Sequence, residues 1–156
     1  MTDPVLIGVI SDTHGLLRPE AIRALQGSTL IVHAGDAGNP EVLQTLQSIA
    51  PLTAVRGNVD RGGWADQLPL SAMIEISRAR LYIIHNLDEL TLNVKKEGFQ
   101  GIISGHSHVP SIQWRDGILY LNPGSAGPRR FKLPIMVAQI EMVGNKPVPK
   151  FIELEV

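Results

Sequence analysis

Five short clusters along the chain carry residues able to hold metal ions: "SDTH" at 11–14, "AGD" at 34–36, "RGNVD" at 56–60, "IIHN" at 83–86 and "SGHSH" at 104–108. Seven residues in them, Asp12, His14, Asp36, Asn58, His85, His106 and His108, offer carboxylate oxygen, imidazole nitrogen and amide oxygen. The chain has no cysteine, so any metal must take nitrogen and oxygen ligands. That mixture suits Mn²⁺, Fe, Co²⁺, Ni²⁺ or Zn²⁺ better than Ca²⁺, which prefers oxygen alone. Seven donors are too many for one ion and enough for two if one carboxylate is shared. Each motif alone has a plainer reading. A histidine pair beside a turn is commonly a surface feature, and an aspartate at a strand end is commonly a helix cap. Asp12-x-His14 and His106-x-His108 are i, i+2 pairs, which in extended chain project to one side.

The elements that must position these clusters are legible from apolar patterning. Val5–Ile10 reads as a buried strand, Ser28–His33 as a second and Leu52–Val55 as a third; helices opened by Pro19 and Pro40 lie between them. Such βαβ units imply parallel strands. The texture then changes: Ala72, Ile74 and Ile76 alternate with polar neighbours, and Leu81–Ile84 follows. A short helix is expected near Thr91–Glu97. Strands are expected at Gly101–Ile103, Ile112–Trp114, Ile118–Leu121, Ile135–Met142 and Val148–Val156, with a hairpin turn at Gly144-Asn145. The fold expected is α/β, two packed sheets with helices outside, in one domain over residues 1–156.

Each cluster falls at the carboxyl end of a strand, and the clusters recur at intervals of 21–27 residues, about one strand plus crossover. Loops at the carboxyl ends of parallel strands share one edge and form the ligand crevice. The recurrence in register with the fold is what raises the seven residues above their separate plain readings. Gly35, Gly57 and Gly105 beside them allow tight turns and close backbone approach.

Composition narrows the function. A net charge of −1 leaves no strong nucleic-acid footprint. The apolar run at Val5–Ile10 is short and preceded by Asp3, unlike a signal peptide, and no stretch reaches membrane-spanning length. A cytoplasmic protein without membrane contact is expected, and a homo-oligomer is left open.

In this order, "SDTH", "GD", "GN-x-D", "H" and "GH-x-H" resemble the calcineurin-like metallophosphoesterases. The short chain and "NPGSAGPRR" at Asn122–Arg130 resemble the family's small bacterial and archaeal phosphodiesterase branch, whose fold the retromer subunit shares. The resemblance covers residue 5 to about residue 130. It implies an α/β/β/α sandwich of two mixed sheets and two divalent ions, Mn²⁺ foremost. Asp12, His14, Asp36 and His108 would hold one ion; Asp36, Asn58, His85 and His106 would hold the other, with Asp36 bridging. It further implies hydrolysis of a small phosphodiester by in-line attack of a hydroxide between the metals, with Asp36, Asn58 and His106 at the reacting centre and Asn58 and Arg129 on the substrate. Arg56 and Arg130 could add positive charge, although Arg130 reads equally well as a solvated side chain.

The sequence departs from the family pattern in two places. Where many members carry a histidine that protonates the leaving group, this chain has Val59, which holds no proton. Asp60 could substitute or could bind loop backbone. The glycine expected after the fourth cluster's histidine is Asn86. His33 matches no ligand position and reads as a buried, hydrogen-bonded histidine. Asn122 and Ser125 read as turn formers near the site, and Trp64 as pocket wall, oligomer contact or core cover. Three functions follow: a phosphoesterase, a weakly active or non-catalytic metal-binding scaffold, and a slow metal-dependent regulator or nucleotide-binding module.

Overall fold

The structure is a computed structural model that describes residues 4–156; the expectation about the N-terminal segment falls partly on residues 1–3, outside them. β1 (Val5–Ile10), β2 (Leu30–His33) and β3 (Leu52–Ala54) run parallel. β9 (Met136–Val143) lies antiparallel against β1, and β10 (Lys146–Glu153) against β9, giving a sheet of order β10-β9-β1-β2-β3. The second sheet holds β4 (Ser71–Ile76), β5 (Ala79–Ile84), β6 (Gly101–Ile103), β7 (Ser111–Arg115) and β8 (Ile118–Asn122) in the order β4-β5-β6-β8-β7. β5, β6 and β8 are mutually parallel neighbours, and the outer pairs are antiparallel, so both sheets are mixed as expected.

Side chains of β1 divide between two cores, as period 2 requires. Ile7 and Val9 enter the cluster between the sheets with Val32, Leu81, Ile83, Ile103 and Leu121. Ile10 and Ile31 turn the other way, onto α1 (Pro19–Leu25) and α2 (Pro40–Gln47), meeting Ala21, Leu25, Val42 and Leu46. Burial on both faces explains why β1 and β2 read as continuous apolar runs instead of alternating ones. Each fully buried Ile or Leu contributes roughly 1.5–3 kcal/mol relative to exposure. Pro19 and Pro40 each occupy the first helical turn, and the Asn39 side chain accepts a hydrogen bond from the Val42 N–H at 3.0 Å.

The short helix expected near Thr91–Glu97 is absent, so regular α-helices lie against the first sheet. Asn93 accepts from the Lys96 N–H, the Glu97 N–H reaches the Asn93 carbonyl, and Gly98 at φ 77° stops the turn. One turn closed by glycine is too short to propagate. The outer face of the second sheet is instead covered by a 3₁₀ turn at Leu87–Glu89 and by Val94 and Phe99, packed with Ile84, Ile102 and Ile118. A short α3 (Gly63–Asp66), unforeseen in the sequence, carries Trp64 onto the core beneath the first sheet, which decides among its three readings in favour of core cover. β10 begins and ends earlier than expected, leaving Val156 52% exposed. Among the described residues no helix is long and apolar enough to cross a membrane.

Candidate metal centre

The five clusters follow β1, β2, β3, β5 and β6, at the edge where the two sheets meet. Five of the seven candidate ligands sit in the left-handed region: Asp12 (φ 56°), His14 (48°), Asp36 (59°), His106 (72°) and His108 (64°). The i, i+2 pairs are therefore not extended, and their side chains are brought inward by sharp chain reversals after each strand. His and Asp tolerate this region better than most residues, yet each such position costs of order 1–3 kcal/mol and persists only where neighbours over-determine it.

Those neighbours are visible. The loops after β1 and β2 are joined by main-chain bonds from the N–H groups of Asp12, His14 and Gly15 to the carbonyls of Gly35, Asp36 and Ala37, at 3.0, 2.9 and 2.7 Å. Between them lies His33, fully buried. Its Nδ1 accepts from the Gly35 N–H at 3.1 Å, and its Nε2 lies 3.0 Å from the Thr13 hydroxyl, which itself donates to the Ala37 carbonyl. This pattern fixes a neutral ring with the proton on Nε2, and burial lowers its pKa to about 4. Asp60 accepts from three main-chain N–H groups: Gly57 at 2.9 Å, Asp36 at 3.0 Å and Gly38 at 2.9 Å. It ties the second and third clusters together, the loop-binding role of the two considered. Asn122 donates to the Gly105 carbonyl at 2.9 Å and the Ser107 hydroxyl at 3.0 Å, and Ser125 donates to the Asp12 carbonyl at 3.0 Å, so the "NPGS" loop braces the site. A side chain at Gly57 would collide with the Asp36 carboxylate, and one at Gly105 with Ser11. Asn86, at φ −110°, needs no glycine-like conformation and accepts from the Asp88 N–H.

Each aspartate commits one oxygen to the protein and directs the other inward. Asp12 Oδ2 accepts from the Ser11 hydroxyl at 2.7 Å and the His106 N–H at 3.1 Å, while the buried Oδ1 has no hydrogen-bond partner. Asp36 Oδ1 accepts from the Val59 N–H at 2.9 Å, leaving Oδ2 3.2 Å from His85 Nε2 and 3.7 Å from His14 Nε2. Asp12 Oδ1 lies 3.4 Å from His108 Nε2, 3.8 Å from His14 Nε2 and 4.0 Å from His85 Nε2.

At His85 the bonding is diagnostic. Its Nδ1–H donates to the Ala34 carbonyl at 2.8 Å. With Nδ1 committed, Nε2 faces Asn58 Oδ1, 3.0 Å away, and Asp36 Oδ2, and when unprotonated it aims its lone pair between them. Asn58 Oδ1 also lies 3.2 Å from His106 Nδ1. Converging lone pairs repel unless a proton or a cation lies among them, and a histidine whose other nitrogen donates to a carbonyl is a well-oriented metal ligand. His14 Nε2 and His108 Nδ1 are likewise buried without partners. The donor set thus fits divalent metal, and the groups Asp12–His14–His108 and Asp12–Asp36–His85 each lie close enough to hold an ion.

Without metal the protons compensate. Burial opposes ionisation of Asp12 and Asp36, but hydrogen bonds and nearby histidines outweigh it and hold both below the usual carboxylate range. The Asp12 carboxylate raises the His14 pKa; for His85 burial is outweighed by Asp36 and Asp12, and its pKa is raised too. Burial lowers that of His108. Arg130 opposes protonation of both His14 and His108, so its charge is felt at the centre. Arg129, the arginine expected on substrate, lies in an exposed loop and donates through Nη1 to the Leu133 carbonyl at 3.0 Å. Val59 is 42% exposed and places an isopropyl group where a proton donor was absent from the sequence.

Comparison with known proteins identifies the family. Residues 5–145 match the model of the calcineurin-like phosphoesterase superfamily domain. A probable metallophosphoesterase of Methanothermobacter thermautotrophicus is 37% identical, over 88% of this chain and 87% of that protein. One of Methanocaldococcus jannaschii is 35% identical over 97% of this chain and 82% of that protein. In fold, the chain resembles a structure described as a novel archaeal phosphodiesterase (TM-score 0.80, 22% identity, 96% of this chain and 100% of that one). It also resembles Vps29 of Chaetomium thermophilum (TM-score 0.78, 18% identity, 96% and 97%). With its five clusters gathered at one edge and a match over nearly its whole length, this chain belongs to the calcineurin-like phosphoesterase superfamily.

Proposed function

We propose that this protein is a phosphodiesterase that works with two divalent ions, Mn²⁺ being the best-suited. Asp12, His14 and His108 with Asp36 would hold one ion; Asn58, His85 and His106 with Asp36 would hold the other. The observation that carries this reading is the free Oδ2 of Asp36 between His85 and His14, at 3.2 and 3.7 Å. Two such ions, when bound, generate a water-derived nucleophile near neutral pH and neutralise phosphoryl oxygens.

The chain's own residues set the preferences. Arg130 adds positive charge felt at His14 and His108, and Arg56 lines the cleft that holds Asn58, His85 and His106, so both favour a phosphate ester. Asn58 and His106 stand at the more open side, next to clefts. Asp60 is occupied by three main-chain donors and Val59 carries no proton, so neither supplies an acid to the departing oxygen. The substrate class is therefore a diester whose leaving group is stable as an anion.

The test is hydrolysis of bis(4-nitrophenyl) phosphate by Mn²⁺-loaded protein, together with metal content. Activity should be lost in Asp36→Asn and in His106→Ala. Equal residual activity in wild type and both variants would sink the enzyme reading. It would favour a metal-binding scaffold, a reading supported by the likeness to Vps29, one structure of which is described as a complex with a cyclic peptide.

A further inference from the structure

Two clefts flank His106. The smaller, about 130 Å³, is lined by Arg56, Leu70 and Glu89 together with Asn58 and His85. The larger, about 260 Å³, opens on the outer face of the second sheet, beside the covering segment that begins at Leu87, and includes Ser111, Gln113, Arg115 and Tyr120. His106 and Asn86 border both. In the larger cleft the Arg115 guanidinium stacks 4.7 Å from the Tyr120 ring centre, and its Nη2 donates to Gln113 Oε1 at 2.8 Å.

We infer that this larger cleft is a binding site for a nucleoside arm of a phosphodiester substrate, a reading that rests on the proposed phosphodiesterase activity. A monoester needs one cleft beside its phosphate; a diester carries two organic arms, and here a larger and a smaller cleft both border His106. The larger is below the 300–1,000 Å³ usual for whole drug-sized ligands, a size suited to a single ring system with its sugar. Its chemistry is that of a planar heterocycle: the Arg115 guanidinium, backed by the Tyr120 ring, to stack on, with the Ser111 hydroxyl and the Gln113 and Asn86 amide N–H groups to meet polar ring edges. Arg115 and Asp88 leave the cleft without net formal charge, which favours an uncharged base over a second phosphate.

The test uses two chromogenic diesters that share a leaving group, thymidine 5′-(4-nitrophenyl) phosphate and methyl 4-nitrophenyl phosphate, with Mn²⁺-loaded protein. Arg115→Ala removes the stacking plane, and Gln113→Trp fills the cleft; both positions are exposed on β7. Each should raise KM for the thymidine ester about tenfold while leaving kcat/KM for the methyl ester within about twofold. Calorimetry of thymidine binding to metal-free protein is the second readout: binding in wild type, lost in both variants. Hydrolysis of both esters with no change in selectivity in either variant overturns the nucleoside site and leaves the phosphodiesterase reading intact. Thymidine binding that the variants abolish, with neither ester hydrolysed, supports the site and overturns the activity. Neither hydrolysis nor binding overturns both.

Discussion

His108 Nε2 stands 3.4 Å from Asp12 Oδ1, an oxygen buried without any hydrogen-bond donor. A carboxylate oxygen left this way is costly unless a cation completes it. Divalent metal should therefore stabilise the fold markedly. At a hundredfold excess over Kd the linkage gain is about 2.7 kcal/mol, or roughly 5–10 °C in Tm for a chain of this length. Thermal melts with Mn²⁺ and with chelator measure it. Asp12→Asn should remove most of the metal-dependent shift.

Asp60 accepts from the N–H groups of Gly57, Asp36 and Gly38. Removing a carboxylate that binds three main-chain donors, two of them buried, should cost about 2–3 kcal/mol in Asp60→Ala. Urea unfolding should show a lower midpoint at unchanged slope. A loss below about 1 kcal/mol would mean that other contacts hold the loop.

His33 makes stability depend on pH with a definite sign. Its native pKa lies near 4, below the ordinary 6.5, so between these values the unfolded chain binds the proton and the native one does not. The contribution is complete above pH 6.5, falls as pH drops toward 4, and amounts to about 3 kcal/mol over that window. His14 and His85, with raised pKa values, act oppositely in metal-free protein. The measurement is thus the difference in unfolding free energy between wild type and His33→Gln, which should shrink by about that amount from pH 7 to 4. NMR should find the His33 ring neutral at pH 5; a ring already protonated there would refute the assignment.

Arg130 and Arg129 separate function from loop architecture. Arg130→Ala should raise KM for a diester about five- to tenfold at low salt and less at high salt. Arg129→Ala, whose guanidinium is spent on the Leu133 carbonyl, should change KM less than about twofold.

Val59→His should restore a proton donor at the mouth of the site. Turnover of diphenyl phosphate should rise at least about tenfold, with that of bis(4-nitrophenyl) phosphate nearly unchanged. Equal gains on both would point to altered binding instead of proton transfer.

Much of this centre was readable before any coordinates. β1 and β2 announce themselves because both faces are covered, and the clusters fall at strand ends because a parallel arrangement exposes those ends on one edge. Other features needed three dimensions. The i, i+2 spacing of Asp12 and His14 suggested extended chain, but the loops reverse at each residue, since zipping the first two loops together outweighs the local preference of φ. The segment at 91–97 has helix-forming residues, yet Asn93 and Gly98 bracket it too closely for a helix to grow. The bond from Arg129 to the Leu133 carbonyl depends on a loop conformation no periodicity encodes.

The donors come from loops of both sheets, with Asp12, Asp36 and Asn58 on one and His85, His106 and His108 on the other. The centre is therefore a rivet across a seam, and it cannot exist until the seam has closed. During synthesis the first sheet's clusters emerge well before "SGHSH", and β9, the partner of β1, emerges later still. An ion bound here would be captured at the end of folding and would then hold the two halves shut. The metal-loaded protein should unfold slowly even where its equilibrium stability is ordinary, and stripping the ion should first loosen the seam beside His106, with the strands on either side still intact.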